Sequence, residues 1–330
     1  MRVSVIGCGY LGAVHAASMA HLGHEVVGVD VDVAKVEQLA GGEAPFYEPG
    51  LPELLASSLA TGRLRFTTDI AEAAGAQVHF VCVGTPQKKG EYAADLRYVD
   101  AAVQGLLPHL RPGDVVVGKS TVPVGTTERI AEEVTATQAG ATVVWNPEFL
   151  REGFAVQDTL HPDRIVYGLP DGEAGARARE LLDEVYATPI AEGIPVVVTD
   201  RATAQLVKVA ANSFLATKIS FINAMAELCE ATGADVTQLA DAIGHDARIG
   251  RRFLNAGLGF GGGCLPGPAS SGWTRRCRSC ARSTRSTCAA GSARWTWSAR
   301  SATAPSSGGA WRSWGRRSSR TATTSGTRRR

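Results

Sequence analysis

Short apolar runs alternate with amphipathic stretches along most of the chain. The opening RVSVIGCGYLGAVHAASMAHLGHEVVGVDVD predicts a strand, a glycine turn, a helix and a second strand. Further strands are predicted at 78–83, 115–118 and 143–145, and helices at 96–110 and 126–136. Strands that alternate with helices predict an α/β fold with a doubly wound, Rossmann-like parallel sheet that is covered on both faces.

The pattern changes to a helical one in the second half of the chain. DRIVYGLP (163–170) predicts one more strand, and apolar residues three and four apart over 199–232 then predict a single long helix. A shorter helix is predicted at 236–243. Because 199–232 exceeds an ordinary globular helix, we expect a helical central region in which this helix is either a spine that links domains or the element through which a homodimer forms.

Composition changes abruptly after Pro266. Residues 267–330 contain only Gly, Pro, Ala, Ser, Thr, Arg, Cys and Trp, with 14 Arg and no acidic residue. The net charge of the whole chain is +2, but residues 1–266, which we call the body, have 20 basic and 32 acidic side chains and are therefore acidic. Arginines interspersed with tryptophans would suit RNA or an acidic surface. An out-of-frame reading of GC-rich codons gives the same composition, so we expect no specific nucleic-acid partner.

The cysteines and the apolar runs bear on the compartment. Cys8, Cys82, Cys229 and Cys264 are widely spaced in the body, which favours free thiols in a reducing cytoplasm over a disulfide framework. No stretch approaches the roughly 18 apolar residues of a membrane span, and the chain opens directly on a strand without a leader pattern. We expect a cytoplasmic protein with no membrane partner.

The first glycine loop predicts a dinucleotide site. Gly7, Gly9 and Gly12 form G-x-G-x-x-G between a strand and a helix, where the backbone can approach a pyrophosphate at the helix N-terminus. Asp30 ends the second strand, at the distance where an acid binds the ribose hydroxyls and repels a 2′-phosphate. The cofactor is therefore expected to be NAD, with Lys35 reaching the adenosine phosphate or ribose.

Two later strand ends follow the same logic. FVCVGTP places Val83, Gly84 and Thr85 just after a buried strand, and VVVGKSTVPVG does the same with Ser120 and Thr121. Ligands of open parallel sheets lie beyond the carboxyl ends of the strands. Each segment alone is typical of an ordinary turn, but together the segments predict a cofactor groove along one edge of the sheet.

Three further patterns are candidates for chemistry. Glu148 and Glu152 would share a face if their segment forms one helical turn, although a solvated turn is the commoner fate of such residues. Lys208 and Asn212, four apart in the long helix, suit either an oxyanion site or a lysine that extends its charge to solvent. Cys264 sits in a glycine-rich loop and is either a nucleophile or an inert buried thiol.

The ordered set of motifs resembles the UDP-glucose/GDP-mannose dehydrogenase family. The matching pieces, in family order across residues 1–266, are VIGCGYLG, YEPGL, VGTP, KSTVPVGTT, NPEFLREG, HPDRIVYG, VKVAANSFLATKISFINAMAELCE, DARIG and GFGGGCLP. NPEFLREGFAVQD is more similar to the UDP-glucose branch than to the GDP-mannose branch. The resemblance implies UDP-glucose as substrate and a place in nucleotide-sugar metabolism and polysaccharide biosynthesis.

The resemblance also implies a reaction. NAD-dependent, four-electron oxidation would convert the primary alcohol of the sugar nucleotide to a carboxylate. Cys264 matches the nucleophile that forms a thiohemiacetal and then a thioester. Lys208 and Asn212 match the residues that stabilise oxyanions, and Glu148 and Thr121 match those that position water or act as base.

Binding residues follow from the same matches, and no metal is expected. The cofactor residues implied are Gly7, Gly9, Leu11, Gly12, Asp30, Lys35, Thr85, Thr121 and Glu152. The substrate residues implied are Phe149, Leu150, Arg151, Glu152, Lys208, Asn212, Arg248 and Gly261.

The family pattern continues C-[FL]-P-K-D, whereas Gly267 and Pro268 occupy the last two places here. Shifting the frame of 280–291 and 310–329 yields segments similar to the family's next helix and the first strand of a second nucleotide-binding domain. We therefore predict an NAD-binding domain over 1–198, a helical central and dimerisation region over 199–266, and an out-of-frame, disordered tail over 267–330 in place of that second domain. Alternatives are an inactive truncated fragment, or a dehydrogenase of GDP-mannose or UDP-N-acetylmannosamine.

Overall fold

A computed structural model describes residues 1–88 and 93–259. The predictions for Gly261, Cys264 and the 267–330 tail lie outside the described residues. Within them, one eight-stranded sheet and ten α-helices account for the regular structure, together with two short 3₁₀ turns at Ile70–Ala73 and Leu107–His109.

The strands form one mixed sheet in the order β3-β2-β1-β4-β5-β6-β7-β8. They are β1 (Arg2–Ile6), β2 (Glu25–Val29), β3 (Leu64–Thr67), β4 (Val78–Val81), β5 (Val115–Gly118), β6 (Thr142–Trp145), β7 (Ile165–Leu169) and β8 (Val196–Asp200). Neighbouring strands are parallel except β6 and β7, which pair antiparallel at Trp145 and Gly168. The doubly wound sheet is confirmed, with one reversal that the sequence did not predict.

Helices connect the strands and continue beyond the sheet. They are α1 (Tyr10–His21), α2 (Val33–Ala40), α3 (Leu51–Ala60), α4 (Arg97–Leu106), α5 (Thr126–Ala136), α6 (Ala155–Leu160), α7 (Glu173–Val185), α8 (Ala187–Ala191), α9 (Arg201–Thr232) and α10 (Val236–Gly244). The predicted helices at 126–136, 199–232 and 236–243 are confirmed to within two residues at each end.

The core lies on both faces of the sheet because successive strand residues point to opposite sides. Val5 and Phe80 belong to the apolar cluster that includes α1, α3 and α7, whereas Ile6 and Val81 belong to the cluster that includes α4 and α5. Burying each such side chain contributes about 1.5–3 kcal/mol relative to exposure. The strands are therefore apolar on both faces, which explains their continuous hydrophobic runs.

Helix α9 joins the sheet to the helical region. The Asp200 carboxylate accepts a hydrogen bond from the Thr203 amide at 2.8 Å and so begins the helix. Ala204 packs against the sheet, and further along the helix Ile222 packs with residues of α10 and the turn that follows it. Helix α9 thus contacts both the sheet and the helical region that follows it.

The described cysteines and helices bear on two further predictions. Cys8, Cys82 and Cys229 are free and buried, which confirms the free-thiol prediction for these three residues. Across residues 1–88 and 93–259, no helix combines the length and the apolar character needed to cross a lipid bilayer.

Candidate functional site

The carboxyl ends of β1, β2, β4 and β5 meet at one border of the sheet, which we call the cofactor edge (the loops at 7–9, 30–32, 82–86 and 119–125). Asp30, just after β2, is buried there. Its carboxylate accepts hydrogen bonds from the amide of Cys8 at 2.7 Å and that of Asp32 at 3.0 Å. Lys35 pairs with the same carboxylate at 2.9 Å. The acid predicted to bind ribose is therefore held directly beside the glycine loop.

The glycine loop is shaped by missing side chains. A Cβ atom on Gly12 would lie 1.8 Å from the carbonyl oxygen of Gly7, so only glycine lets α1 approach the end of β1 this closely. A Cβ atom on Gly9 would have no neighbour within 4 Å. Gly9 is the N-cap of α1, so its open side faces the position where a helix N-terminus binds a pyrophosphate. Loop and carboxylate together fit the adenosine half of NAD.

Hydrogen bonds join the loops after β4 and β5. The Thr85 hydroxyl donates to the carbonyl of Thr121 at 2.7 Å, and the Ser120 hydroxyl donates to the carbonyl of Val83 at 2.6 Å. The prediction that these two segments share one edge is confirmed. The contacts join Thr85 to Thr121, and the loop after β4 also lies against the glycine loop, because a Cβ atom on Gly7 would lie 2.6 Å from Cγ1 of Val83.

The loop at 146–154 carries Glu148 and Glu152 but is not helical. The two carboxylates would share a face only if this segment formed a helical turn, and it does not, because regular helix begins only at Ala155. The Glu148 carboxylate accepts a hydrogen bond from the Leu150 amide at 2.7 Å. A side chain that bonds to a nearby backbone amide competes with helix formation.

Glu148 instead pairs with Lys208 of α9. The Lys208 ammonium lies 2.9 Å from the carboxylate, and the two side chains are 8% and 17% exposed. Of the two alternatives for Lys208, extension into solvent is therefore excluded. Asn212 follows one turn later along α9, as predicted. A cation and a carboxylate thus lie together, shielded from water, where charge–charge interactions are strongest.

The other predicted substrate residues of this loop have separate contacts. The Arg164 guanidinium lies 3.8 Å from the centre of the Phe149 ring. Leu150 packs against the core beside α1. Arg151 is exposed and pairs with Asp158 at 2.6 Å. Leu11, predicted to contact the cofactor, also packs against that core.

Arg248 lies in the turn after α10 and pairs with Asp246 at 2.6 Å. Lys218 holds this turn by donating to the carbonyls of Ile249 and Gly250 at 3.0 and 3.1 Å. Lys218 follows Lys208 by ten residues, which is about 15 Å along the helix. The structure therefore does not bring Arg248 to the Lys208–Glu148 pair.

Glu48, in the motif YEPGL, is a site residue for which the sequence predicted no role. It is buried, and its carboxylate accepts hydrogen bonds from the amides of Gly153 at 2.9 Å and Ala155 at 2.7 Å. It also binds the Tyr10 hydroxyl. Burial, and then this bond to Glu48, raise the pKa of Tyr10. Glu48 thus fixes the 146–154 loop to the first turn of α1.

Lys119 is a second residue that sequence reasoning missed. It directly follows β5 and is buried, with its ammonium donating to the Asn146 side-chain oxygen at 2.9 Å. Its position in the sequence, immediately after the apolar run VVVG, is the one local feature that could have identified it as a buried lysine. Among the residues the structure describes, no group of three or more His, Cys, Asp or Glu could hold a metal ion.

Two glycine substitutions separate folding from cofactor binding. Gly12→Ala forces a methyl group against the Gly7 carbonyl, so we expect a loss of about 3 kcal/mol in the free energy of unfolding. Gly9→Ala meets no protein atom and should change it by less than about 0.5 kcal/mol, but its methyl group would obstruct the pyrophosphate. Urea denaturation and NAD titration calorimetry measure the two effects. Equal NAD affinity for Gly9→Ala and the unmodified chain would contradict this placement.

The buried ion pair predicts coupled effects on stability. Lys208→Met leaves a poorly exposed carboxylate without its cation and should cost about 3 kcal/mol of unfolding free energy. Adding Glu148→Gln should recover part of that loss, because the unpaired charge is removed. The control is Arg177→Met, which breaks an exposed pair with Glu180 and should have no measurable effect. Strictly additive losses in the double variant would show that the two side chains are uncoupled.

Comparison with known proteins agrees with this geometry. Residues 1–189 match the model for the UDP-glucose/GDP-mannose dehydrogenase family, NAD binding domain, and residues 202–270 match that family's central domain. A UDP-glucose 6-dehydrogenase of Rhizobium meliloti is 50% identical over 270 residues, which cover 81% of this chain and 61% of that protein. The Bacillus subtilis UDP-glucose 6-dehydrogenase TuaD is 45% identical, with 80% and 57% covered. The chain thus spans about three fifths of the length of these relatives.

Solved structures give the same result. A UDP-glucose dehydrogenase from Pyrobaculum islandicum superposes with a TM-score of 0.80 at 41% identity, covering 87% of this chain and 67% of that one. A GDP-mannose dehydrogenase from Pseudomonas aeruginosa superposes at 0.70 and 32%, covering 88% and 68%. The glycine loop, the acid after β2 and the two matched family domains agree, and the chain belongs to the UDP-glucose/GDP-mannose dehydrogenase family, with residues 1–189 matching its NAD-binding domain.

Proposed function

We propose that this chain carries the cofactor-binding and central portions of an NAD-dependent dehydrogenase that oxidises UDP-glucose to UDP-glucuronate. The observation that carries the proposal is the buried pair of Lys208 and Glu148 beside the cofactor edge. A buried cation suits an oxyanion, and a neighbouring carboxylate suits the deprotonation of alcohol or water. The UDP-glucose 6-dehydrogenases that are 45–50% identical support the choice of substrate.

The proposed reaction removes four electrons in two steps. NAD supplies the hydride acceptor in both. In the first step, the primary alcohol loses a proton and a hydride and becomes an aldehyde. The Cys264 thiolate then adds to the aldehyde carbon and forms a thiohemiacetal. Loss of the hydroxyl proton and a second hydride gives a thioester, and water hydrolyses it to the carboxylate and the free thiol, so each sugar consumes two NAD and one water.

The described residues have assigned roles in this scheme. Lys208 and Asn212 stabilise the alkoxide of the alcohol and the oxyanions that form at the same carbon. Glu148, which Lys208 keeps in place, accepts protons from the alcohol and orients the hydrolytic water together with Thr121. Phe149, Leu150, Arg151 and Glu152 line the sugar-nucleotide side, and Arg248 contributes to substrate binding. The free thiols of Cys8, Cys82 and Cys229 support a cytoplasmic location for this chemistry.

A direct assay tests the proposal. The 330-residue chain is incubated with NAD and, in turn, UDP-glucose, GDP-mannose and UDP-N-acetylmannosamine. We expect NADH only with UDP-glucose, at two NADH for each sugar oxidised, and a loss of at least 100-fold in kcat for Lys208→Met. If the chain preferred GDP-mannose or UDP-N-acetylmannosamine, that sugar nucleotide would replace UDP-glucose as the proposed substrate. NAD binding without turnover on any of them would favour the inactive fragment over the dehydrogenase.

We also propose that two copies of the chain associate through α9. Phe214, Phe221 and Leu228 are 64%, 46% and 56% exposed and follow one another at seven-residue spacing. That spacing places them in one stripe along the helix, and a stripe on a long helix is complementary to the same stripe in a second copy.

Light scattering after gel filtration measures the assembly. The unmodified chain should have twice the 34.6 kDa mass of one chain. Phe221→Glu places a charge in the stripe and should yield single chains. Tyr98→Glu, on the exposed side of α4, is the matched control and should leave the dimer intact. A monomeric unmodified chain, or a dimer that survives Phe221→Glu, would overturn this assembly.

A further inference from the structure

Lys119 is a buried cation whose hydrogen bonds go to neutral groups. Its ammonium donates to the Asn146 side-chain oxygen at 2.9 Å and to the Tyr186 hydroxyl at 3.3 Å. It also lies 5.6 Å from the centre of the Phe80 ring and 5.9 Å from that of Tyr186. Within residues 1–88 and 93–259, Lys119 forms no ion pair, and its direct contacts are to oriented dipoles and aromatic faces.

This arrangement opposes stability. Removing an ammonium from water without a carboxylate partner is costly, and an apolar side chain of similar length would avoid that cost. Burial accordingly lowers the pKa of Lys119 to about 8. A cation at such a position requires an explanation other than packing.

The contacts of Asn146 supply that explanation. Asn146 begins the 146–154 loop, and its side-chain oxygen accepts hydrogen bonds from both Lys119 and the Tyr186 hydroxyl, the latter at 2.6 Å. Because an ammonium can only donate, Lys119 fixes which end of the amide faces it. The amide nitrogen is thereby turned to the carbonyl of Val166 on β7, to which it donates at 3.0 Å. The start of the loop is therefore fixed to β5, to β7 and to the residue that follows α7.

Glu148 lies two residues further along this loop, and its charge acts on Lys119. Burial is the largest influence on the pKa of Lys119; the Cys82 thiol and then the Glu148 carboxylate raise that pKa, and the Lys208 ammonium lowers it. The other ionisable groups that surround Lys119 are held neutral by burial. These are the Cys82 thiol after β4, with its pKa raised to about 12, the His15 imidazole on α1, with its pKa lowered, and the Tyr186 phenol, with its pKa raised.

We propose that Lys119 is a positioning residue of the dehydrogenase site: its ammonium orients Asn146 and so holds the 146–154 loop with Glu148 against Lys208. The catalytic consequence rests on the proposed function, whereas the link from Lys119 to the loop does not. Lys119 acts through Asn146 and does not itself contact the reacting groups.

The experiment measures loop release and global stability separately. Arg151 is an exposed residue of the 146–154 loop after which trypsin can cleave. Cleavage of the Arg151–Glu152 bond is followed by mass spectrometry in the full chain. Lys119→Met should speed that cleavage about 10-fold, because a charge-assisted hydrogen bond no longer holds the loop. Its melting temperature should be unchanged or higher, because a buried charge has been removed. Val134→Ala, a core substitution on α5, is the matched control and should lower the melting temperature with less than a 2-fold change in cleavage.

Two comparisons decide the outcome. If Lys119 acts through Asn146, the Lys119→Met, Asn146→Leu double variant should be cleaved no faster than the faster of the two single variants. In the assay with NAD and UDP-glucose, Lys119→Met should lower kcat about 10-fold and leave the KM for NAD within 2-fold. Unchanged cleavage at Arg151, or a lower melting temperature, would overturn the proposal. Faster cleavage at Arg151 in a chain that never turns over would support the positioning role and refute the proposed function.

Discussion

The Lys208 ammonium and the Glu148 carboxylate lie 2.9 Å apart with little of either side chain exposed, and neither charge could be buried here without the other. One belongs to the long helix and the other to the loop after β6. Their attraction therefore helps to hold α9 against the sheet, and it fixes the loop that lies between the cofactor edge and the helical region. The catalytic proposal, the substrate loop and the role of Lys119 all depend on this contact.

Glu148 lies on irregular backbone, and buried side chains hold that loop in place. A loop without helix or sheet partners leaves amides that must bond elsewhere when they are buried. Glu48 accepts from the amides of Gly153 and Ala155, and Lys119 anchors the opposite end through Asn146. The 146–154 loop is thus held at both ends by buried charged groups. Precise geometry at a reactive centre needs this kind of support from the residues behind it.

The features that sequence reasoning found are those encoded locally. The long helix at 201–232 and the apolar strands follow from periodicity, and the glycine loop with Asp30 follows from spacing within thirty residues. The helical turn considered at 148–152 does not form: one oxygen of the Glu148 carboxylate accepts from the Leu150 amide, and the other pairs with Lys208, sixty residues later. Glu48 and Lys119 were missed for the same reason. Their partners lie 105 and 27 residues away, and no local pattern records such pairings.

The antiparallel pairing of β6 with β7 determines how the cation reaches the carboxylate. Because β7 runs against β6 and β8 runs parallel to β7, the chain leaves the sheet away from the cofactor edge. Arg201 accordingly donates to the carbonyl of Val143, near the start of β6. From there α9 returns across the sheet, and Lys208 follows Arg201 by seven residues, about 10 Å. Had β7 continued in the common direction, α9 would begin at the cofactor edge and carry its lysine away from Glu148. The direction of a single strand therefore decides whether the two charges can meet.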